Sequence, residues 1–236
     1  METVQSAGLD GIEINCYILD LPDILSFKRP LSLGDFDCSK ASLHSNHIDF
    51  NPGSPNPYTR RAGIAQLKEE IIIAEEHGIR TLTIHPGFVK KIPRSMALSF
   101  FWDSLQEALD YCPLNKTRLC LENMDNKADK LCNNTEEIRS TLDRFPNLCL
   151  TVDFAHLGLN RMDIGAFLNE FDKRIAHIHI SGVIDGVAHG KVPLTESRID
   201  FRPYLRRFKD RDIAVVIENR SWENVLSSKT VIDTII

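Results

Sequence analysis

The chain has 236 residues, of which 42% are hydrophobic and 26% carry a charge. That length and balance suit one large soluble domain or two small ones. The formal net charge of -5 gives no basic footprint of the kind expected of a nucleic-acid-binding protein. The sequence also lacks an apolar run of about 18 residues and a signal-peptide pattern at Met1, so we expect a cytoplasmic protein without a membrane segment.

Six cysteines occur in the chain, and no two of them form a C-x-x-C pair. Cys120 and Cys149 alternate with apolar residues in segments that we predict as strands, which indicates packed thiols. A zinc site built from thiolates is therefore not expected.

Seven apolar segments rich in β-branched residues recur along the chain and are predicted as strands. The predicted strands cover residues 11–15, 40–45, 80–87, 117–124, 148–157, 174–182 and 213–219. The fifth is apolar up to Val152 and is expected to open into a loop at Asp153 and His156. Burying either polar side chain alone costs several kcal/mol, so the sequence predicts a hydrogen bond between them or a bound metal.

Capping signals mark the helices that we predict between these strands. Gly8 follows the end of an opening helix, Gly78 ends a helix over residues 62–77, and Asn134 with Glu137 begins a later one. The remaining predictions are a weak helix at 22–27, a helix over 97–112, and helices capped by Asp163, Asp200 and Ser221, the last running to 236. The proline-rich segment 45–61 is predicted to be a long functional loop.

Strands that alternate with helices indicate a parallel sheet, and we interpret residues 1–236 as a single domain. Ligand-type side chains end six of the seven predicted strands. A closed ring gathers all of them at one mouth, whereas a doubly wound sheet, the alternative, gathers chemistry at one switch point. We therefore predict an α/β fold of the TIM (β/α)8 type. Because we find seven strands, we expect the first strand to be missing, which leaves two edges that a partner, such as a second copy, could cover.

Three acidic residues and five histidines are expected at the mouth of this barrel. Unpaired carboxylates in one cleft would raise each other's pKa, and divalent cations remove that conflict. Mixed imidazole and carboxylate ligands suit zinc, manganese, iron or cobalt rather than calcium. Nearby His47 and His177 could instead be loop or packing residues. The candidate residues are His44, His85, Glu122, Asp153, His156, His179, His189 and Glu218.

These residues lie in segments that resemble the xylose isomerase-like TIM-barrel superfamily, which includes endonuclease IV and many sugar isomerases and epimerases. The resemblance covers nearly the whole chain, and six short motifs carry it in order. The motifs are SLHSNHIDFNPGSPNP, TIHPG, LENMDN, TVDFAH, HIHISG and VVIEN.

The resemblance to the family's epimerases implies a divalent metal held by Glu122, Asp153, His179 and Glu218. Zinc or manganese is expected first, and magnesium, cobalt or iron are alternatives. The two glutamates are implied as acid and base, and His156 as a catalytic contact to the substrate. The implied reaction is isomerisation or epimerisation of a sugar or sugar phosphate by proton transfer through an enediolate that the metal stabilises.

Four further residues are expected to bind the substrate. His44 and His85 end the second and third predicted strands, and either could instead bind a metal. Asp185 and Lys191 lie in the loop after the sixth predicted strand, where a lysine could meet an anionic substrate group.

Endonuclease IV is the alternative, and nucleic acid is an expected partner only in that case. The resemblance to it implies further zinc ligands at His44, His85, His156 and His189. The chain departs from that enzyme's pattern because Val187 stands where an aspartate would precede His189, and no Tyr-Leu wedge follows His44. A barrel that binds metal without catalysis is a third reading, and the intact pair of glutamates argues against it.

Overall fold

The computed structural model describes residues 2–16, 38–111 and 114–235. Its centre is one parallel sheet of seven strands, which lie in the sheet in their chain order. The strands are β1 (Ile12–Asn15), β2 (Ala41–His44), β3 (Thr81–Ile84), β4 (Arg118–Glu122), β5 (Cys149–Asp153), β6 (Ile175–Ile180) and β7 (Ala214–Ile217). The weak helix predicted at 22–27 lies outside the described residues.

Helices follow the strands and cover the outer face of the sheet. They are α1 (Glu2–Ser6), α2 (Pro57–His77), α3 (Arg94–Tyr111), α4 (Thr135–Arg144), α5 (Phe154–Leu159), α6 (Ile164–Phe171), α7 (Arg202–Leu205) and α8 (Trp222–Ile232). Short 3-10 turns complete the pattern at Cys38–Lys40, Asp172–Arg174, Leu194–Glu196 and Arg206–Phe208. Among residues 2–16, 38–111 and 114–235, no helix combines the length and the apolar character that crossing a membrane requires.

The strands and helices form a nearly closed barrel, which confirms the predicted fold. Within the described residues, β1 pairs only with β2 and β7 only with β6, so the two end strands keep open edges. Glu2–Ser6 form the helix α1 and not an eighth strand between them. The prediction of seven strands with an open side is therefore confirmed for the part of the chain that the structure describes.

Most of the strands are apolar toward the helices and carry polar side chains toward the lumen of the barrel. Leu43 and Leu121 are fully buried in the apolar layer beneath the helices. Residues at alternate positions point the opposite way, into the lumen. There Thr83 Oγ1 and Thr151 Oγ1 lie 2.8 Å apart in a hydrogen bond. Polar groups thus occupy a lumen that branched aliphatic side chains usually fill in this fold.

The last helix, α8, ends at Ile232 and not at 236 as predicted. Two other predicted boundaries were wrong because local capping was not recognised. Helix α2 begins at Pro57 and not at 62, because Asn56 Oδ1 accepts from the Tyr58 N–H at 3.0 Å and proline suits the first helical turn. The loop after β2 is correspondingly shorter than predicted. Strand β5 ends at Asp153, and α5 begins at once where a loop was expected, because Asp153 is its N-cap.

The other predicted caps are largely confirmed. Asn134, Asp163 and Ser221 each accept a hydrogen bond from the N–H three residues later. Gly78 ends α2 in the left-handed region at a φ of 66°. Asp200 accepts from the Arg202 N–H at 3.0 Å, but the helix there spans only Arg202–Leu205 before a 3-10 turn.

Candidate active site

The polar residues predicted at the strand ends meet at the C-terminal mouth of the barrel. Parallel strands bring their carboxyl ends to one face, so residues far apart in sequence become neighbours there. The residues that gather are His44 after Leu43 in β2, His85 just after β3, Glu122 at the end of β4, Asp153 at the end of β5, His156 in α5, His179 in β6, His189 in the following loop, and Glu218 just after β7.

Glu122 lies at the centre of this group, with only 2% of its side chain exposed. Its Oε2 is 2.8 Å from His85 Nε2 and 3.3 Å from His44 Nε2. Its Oε1 is 3.3 Å from His156 Nδ1. Burial opposes ionisation of this carboxyl, but His85 and the other surrounding imidazoles hold its pKa well below the usual range. Glu122 is therefore ionised over the whole physiological range of pH.

Both carboxylate oxygens of Asp153 are engaged, Oδ1 by one group and Oδ2 by two. Its Oδ1 accepts from the His156 backbone N–H at 2.8 Å and caps α5. Its Oδ2 faces His189 Nε2 at 3.1 Å and His156 Nδ1 at 3.3 Å. The Asn123 side chain fixes the peptide group of Asp153 through two hydrogen bonds. Burial by itself would raise the pKa of Asp153. The effect of His156 and His189 is larger, so the pKa lies below its usual value.

Glu218 lies at the more open side of the site, with 24% of its side chain exposed. Its Oε1 is 3.4 Å from His179 Nδ1, and its Oε2 is 3.5 Å from His189 Nε2. Burial raises the pKa of Glu218 to about 7, and the negative charges of Asp153 and Glu122 add to that effect. Glu218 can therefore exchange a proton near neutral pH, unlike Glu122.

Two of the site histidines are oriented by backbone carbonyls. His44 Nδ1 lies 2.9 Å from the Ser45 carbonyl oxygen, and His156 Nδ1 lies 2.8 Å from that of Asn123. A carbonyl only accepts, so each Nδ1 carries the proton and donates. The Nε2 lone pair of a neutral ring is then available to a metal or a substrate.

The ligand atoms of Glu122, Asp153, His179 and Glu218 all lie within 4.8 Å of one another. Zinc lies about 2.0–2.2 Å from nitrogen and oxygen ligands, so two ligands of one ion are separated by about 4 Å or less. Asp153 Oδ2, His179 Nδ1 and Glu218 Oε2 are buried and make no hydrogen bond within the described residues. Buried acceptors without donors are costly, and a cation would satisfy all three. These four residues fit a divalent metal.

Two neighbouring groups could hold further cations. His44, His47 and His85 form one, and Asp153, His156 and His189 form the other. The imidazole rings of His47 and His85 are 4.9 Å apart between centroids. The site therefore offers more metal-binding groups than one ion needs.

Asp185 and Lys191 are the two predicted site residues that are not in contact with this group in the described structure. Asp185 is exposed, and its Oδ2 accepts from Arg198 Nη1 at 2.8 Å. Lys191 is also exposed, and its backbone carbonyl accepts from Asn224 at 2.9 Å. Their role in substrate binding stays a prediction.

Glu13 is a residue of this site that the sequence reasoning missed. It lies in β1, and its carboxylate contacts His177 and His179 across the lumen, at 2.9 Å in each case. The available signal was an acidic residue between Ile12 and Ile14 in a strand, because a carboxylate at such a position needs a partner. His177, which the sequence left undecided, is fully buried beneath the site.

The model of the xylose isomerase-like TIM barrel family matches residues 1–232. MJ1188, an uncharacterized protein of Methanocaldococcus jannaschii, is 33% identical over 172 residues, which are 72% of this chain and 62% of that protein. A probable endonuclease 4 of Malacoplasma penetrans is 28% identical over 156 residues, which are 64% of this chain and 52% of that protein. The chain thus spans less than two thirds of either relative.

Among solved structures, a D-tagatose 3-epimerase-like protein superposes with a TM-score of 0.83 at 20% identity. The superposition covers 99% of this chain and 91% of that one, and at such low identity it shows the fold. Together with the match to residues 1–232, it establishes that this chain belongs to the xylose isomerase-like TIM barrel family.

Proposed function

We propose that this protein is a metal-dependent isomerase or epimerase that acts on a sugar or a sugar phosphate. The observation that carries the proposal is the contrast between Glu122 and Glu218. The two carboxylates belong to one group of metal-sized dimensions, and their pKa values are shifted in opposite directions. Pairs of carboxyl groups whose environments separate their pKa values are typical of acid–base catalysis.

The roles follow from the position of each residue. A divalent cation held by Glu122, Asp153, His179 and Glu218 would polarise a substrate carbonyl and acidify the adjacent C–H bond. The ionised Glu122 can accept the proton from carbon. Glu218 lies at the more exposed side of the group, so it can return a proton there. The Nε2 lone pair of His156 would accept a hydrogen bond from a substrate hydroxyl.

The proposal is tested by solvent exchange. Ketoses and ketose phosphates are incubated with the purified protein in D2O, and deuterium at carbons next to the carbonyl is measured by NMR. We expect deuterium incorporation that stops when a chelator removes the metal and returns when zinc or manganese is restored. Absence of incorporation across the panel, with metal bound, would contradict the isomerase proposal.

The metal itself is a separate expectation. Protein purified without chelator should contain at least one equivalent of a divalent transition metal, because three buried acceptors in the site make no hydrogen bond within the described residues. Elemental analysis tests this directly. Well under half an equivalent, with no gain after incubation with zinc or manganese, would contradict it.

A second candidate is an abasic-site endonuclease. Two observations favour it, namely the additional groups around His47 and His189 and the similarity to a probable endonuclease 4. Nicking of a duplex with one abasic site would support it, if His189→Ala abolishes nicking. His77→Ala is the matched control, because His77 lies in the last turn of α2, outside the site.

A further inference from the structure

Glu13 occupies an unusual position for a carboxylate. It lies in β1 between two isoleucines, and only 8% of its side chain is exposed. Ser42 Oγ donates to its Oε2 at 2.8 Å, and His177 Nε2 lies 2.9 Å from the same oxygen. Its other oxygen, Oε1, lies 2.9 Å from His179 Nε2. Three side chains on two different strands therefore converge on one buried carboxylate.

This contact determines which nitrogen of His179 can face the metal group. His179 Nε2 lies 2.9 Å from the Glu13 carboxylate, although the two groups are not aligned as a hydrogen bond. A nitrogen lone pair would be repelled by a carboxylate oxygen at this distance, so the ring nitrogen that faces Glu13 carries the proton. Nε2 is then the protonated nitrogen of His179. The opposite nitrogen, Nδ1, lies 3.4 Å from Glu218 Oε1 and 3.7 Å from Glu122 Oε1. With a cation bound between these carboxylates, the Nδ1 lone pair would be directed at the cation.

His179 differs in this respect from the other anchored histidines. His44 and His156 are held through Nδ1 by neutral backbone carbonyls. His179 instead faces a carboxylate with Nε2, and that negative charge makes the ring a more basic ligand. The opposite tautomer is required here because Nδ1 is the nitrogen that lies near Glu218 and Glu122.

Glu13, His177 and His179 could in principle form a metal site of their own. The geometry argues against it. Separations of 2.8 and 2.9 Å between these atoms are hydrogen-bond distances, and the Ser42 hydroxyl already donates to the oxygen that a metal would need. Two ligands of one zinc ion are normally more than about 3 Å apart.

We propose that Glu13 is a positioning residue that holds His179 in the tautomer required for metal binding, with His177 fixing the carboxylate in turn. The inference rests on the proposed metal-dependent function. It extends the metal centre to the open-edged strand β1, which contributes none of the four metal ligands that we propose.

The test is a comparison of zinc affinity by competition with a chromogenic chelator. Glu13→Gln removes the charge and places an amide N–H against one of the two imidazoles, so zinc affinity should fall by about 10- to 100-fold. Ser42→Ala is the matched control. It removes one hydrogen bond to the same carboxylate without touching a histidine, and the affinity should change less than about threefold.

A second variant and a second readout protect the test against misfolding. Glu13→Asp keeps the charge but withdraws it by one methylene, and the affinity should again fall at least tenfold. In the zinc-loaded parent protein, 15N NMR of labelled histidine should show His179 bound through Nδ1 and protonated at Nε2. Denaturant unfolding of the metal-free variants separates a loss of fold from a loss of positioning.

The outcomes distinguish this inference from the proposed function. If the parent protein binds no divalent metal, the proposed function fails, and this inference fails with it. If the parent binds zinc and folded Glu13→Gln and Glu13→Asp bind it equally well, this inference alone fails. Zinc bound through Nε2 of His179, or an equal loss of affinity in Ser42→Ala, would also overturn it.

Discussion

The two glutamates of the site are chemically identical but lie in opposite environments. Glu122 is enclosed, with 2% of its side chain exposed, and its oxygens face the imidazoles of four histidines. Glu218 is 24% exposed and faces two histidines, while the charges of Glu122 and Asp153 oppose its ionisation. The comparison teaches that the number of nearby imidazoles and carboxylates, more than burial alone, decides which carboxyl stays ionised.

Substitution of Glu122, on the enclosed side of the site, should have the largest effect on metal binding and turnover. Glu122→Gln removes the charge that four imidazoles face, so we expect both weaker metal binding and a loss of turnover of about 10²–10⁴-fold. Proton exchange and metal content are measured on the same sample. Glu107→Gln is the control, since that exposed carboxylate pairs with Lys68 on the outer helices. Normal turnover in Glu122→Gln would remove the residue from the mechanism.

Substitution of Glu218, on the open side of the site, should affect catalysis more than metal binding. Glu218→Gln should also lower turnover about 10²–10⁴-fold, because its proton is one of those transferred. Its metal affinity should fall less than that of Glu122→Gln, because Glu218 is more exposed and faces two histidines where Glu122 faces four. Equal metal loss in the two variants would show that the sides do not differ in the way we describe.

The histidines of the two sides predict how the stability of the metal-free protein depends on pH. Burial disfavours the charge on His44, but Glu122 raises its pKa from 6.5 to about 9. Burial likewise disfavours the charge on His189, and Asp153 raises its pKa to about 9. Each raised pKa stabilises the folded protein. This stabilisation is fully present below pH 6.5, the pKa of the histidine in the unfolded chain, and is lost as the pH rises through 9.

We therefore expect the unfolding free energy of the metal-free protein to fall between pH 6.5 and 9. Each histidine contributes at most about 3 kcal/mol, because one pKa unit corresponds to about 1.4 kcal/mol. Urea unfolding at several pH values measures this. With zinc bound the trend should reverse, since metal binding releases protons and strengthens as the pH rises. A metal-free protein that gains stability over this range would contradict the assigned charges.

Substitution of Asp153 should have the smallest effect on stability. This residue lies between the two sides of the site, where it contacts both His156 and His189. Asparagine caps helices about as well as aspartate, so Asp153→Asn should keep α5 while weakening metal binding. Asp153→Ala should lose the metal and, in addition, about 1 kcal/mol of unfolding free energy from the missing cap. Thermal unfolding of both metal-free variants provides the comparison. Equal stability of the two would show that the cap contributes little.

The ends of the strands were the part of the site that the sequence could predict. Glu122 and Asp153 each follow a run of apolar residues, where an acidic side chain is conspicuous. The same reasoning failed for Glu13, because a single strand does not reveal which side faces the lumen or what lies across it. Its partner His177 is 164 residues away in the sequence.

The fold could be predicted further than the local boundaries could. Alternation of apolar strands and amphipathic helices is repeated along the whole chain, so it survives errors at single residues. The starts of α2 and α5 depend instead on single side chains, Asn56 and Asp153, whose caps form only once the strands before them are in place. The opposite pKa shifts of Glu122 and Glu218 also could not be predicted, because they depend on histidines and carboxylates from other strands that become neighbours only in the folded barrel.

The chain order of the strands has a consequence for how the molecule folds. Every pairing in the sheet joins successive strands, as in Ile12 with Ala41 or Ile178 with Val215, so each step closes a short loop and the sheet can grow one unit at a time. The contacts of the site are different, because Glu13 of the first strand meets His177 and His179 of the sixth. They form only when the growing sheet curls upon itself. A metal that binds only the curled form would stabilise that form. It would leave the early steps of folding unchanged and would slow the reopening of the barrel.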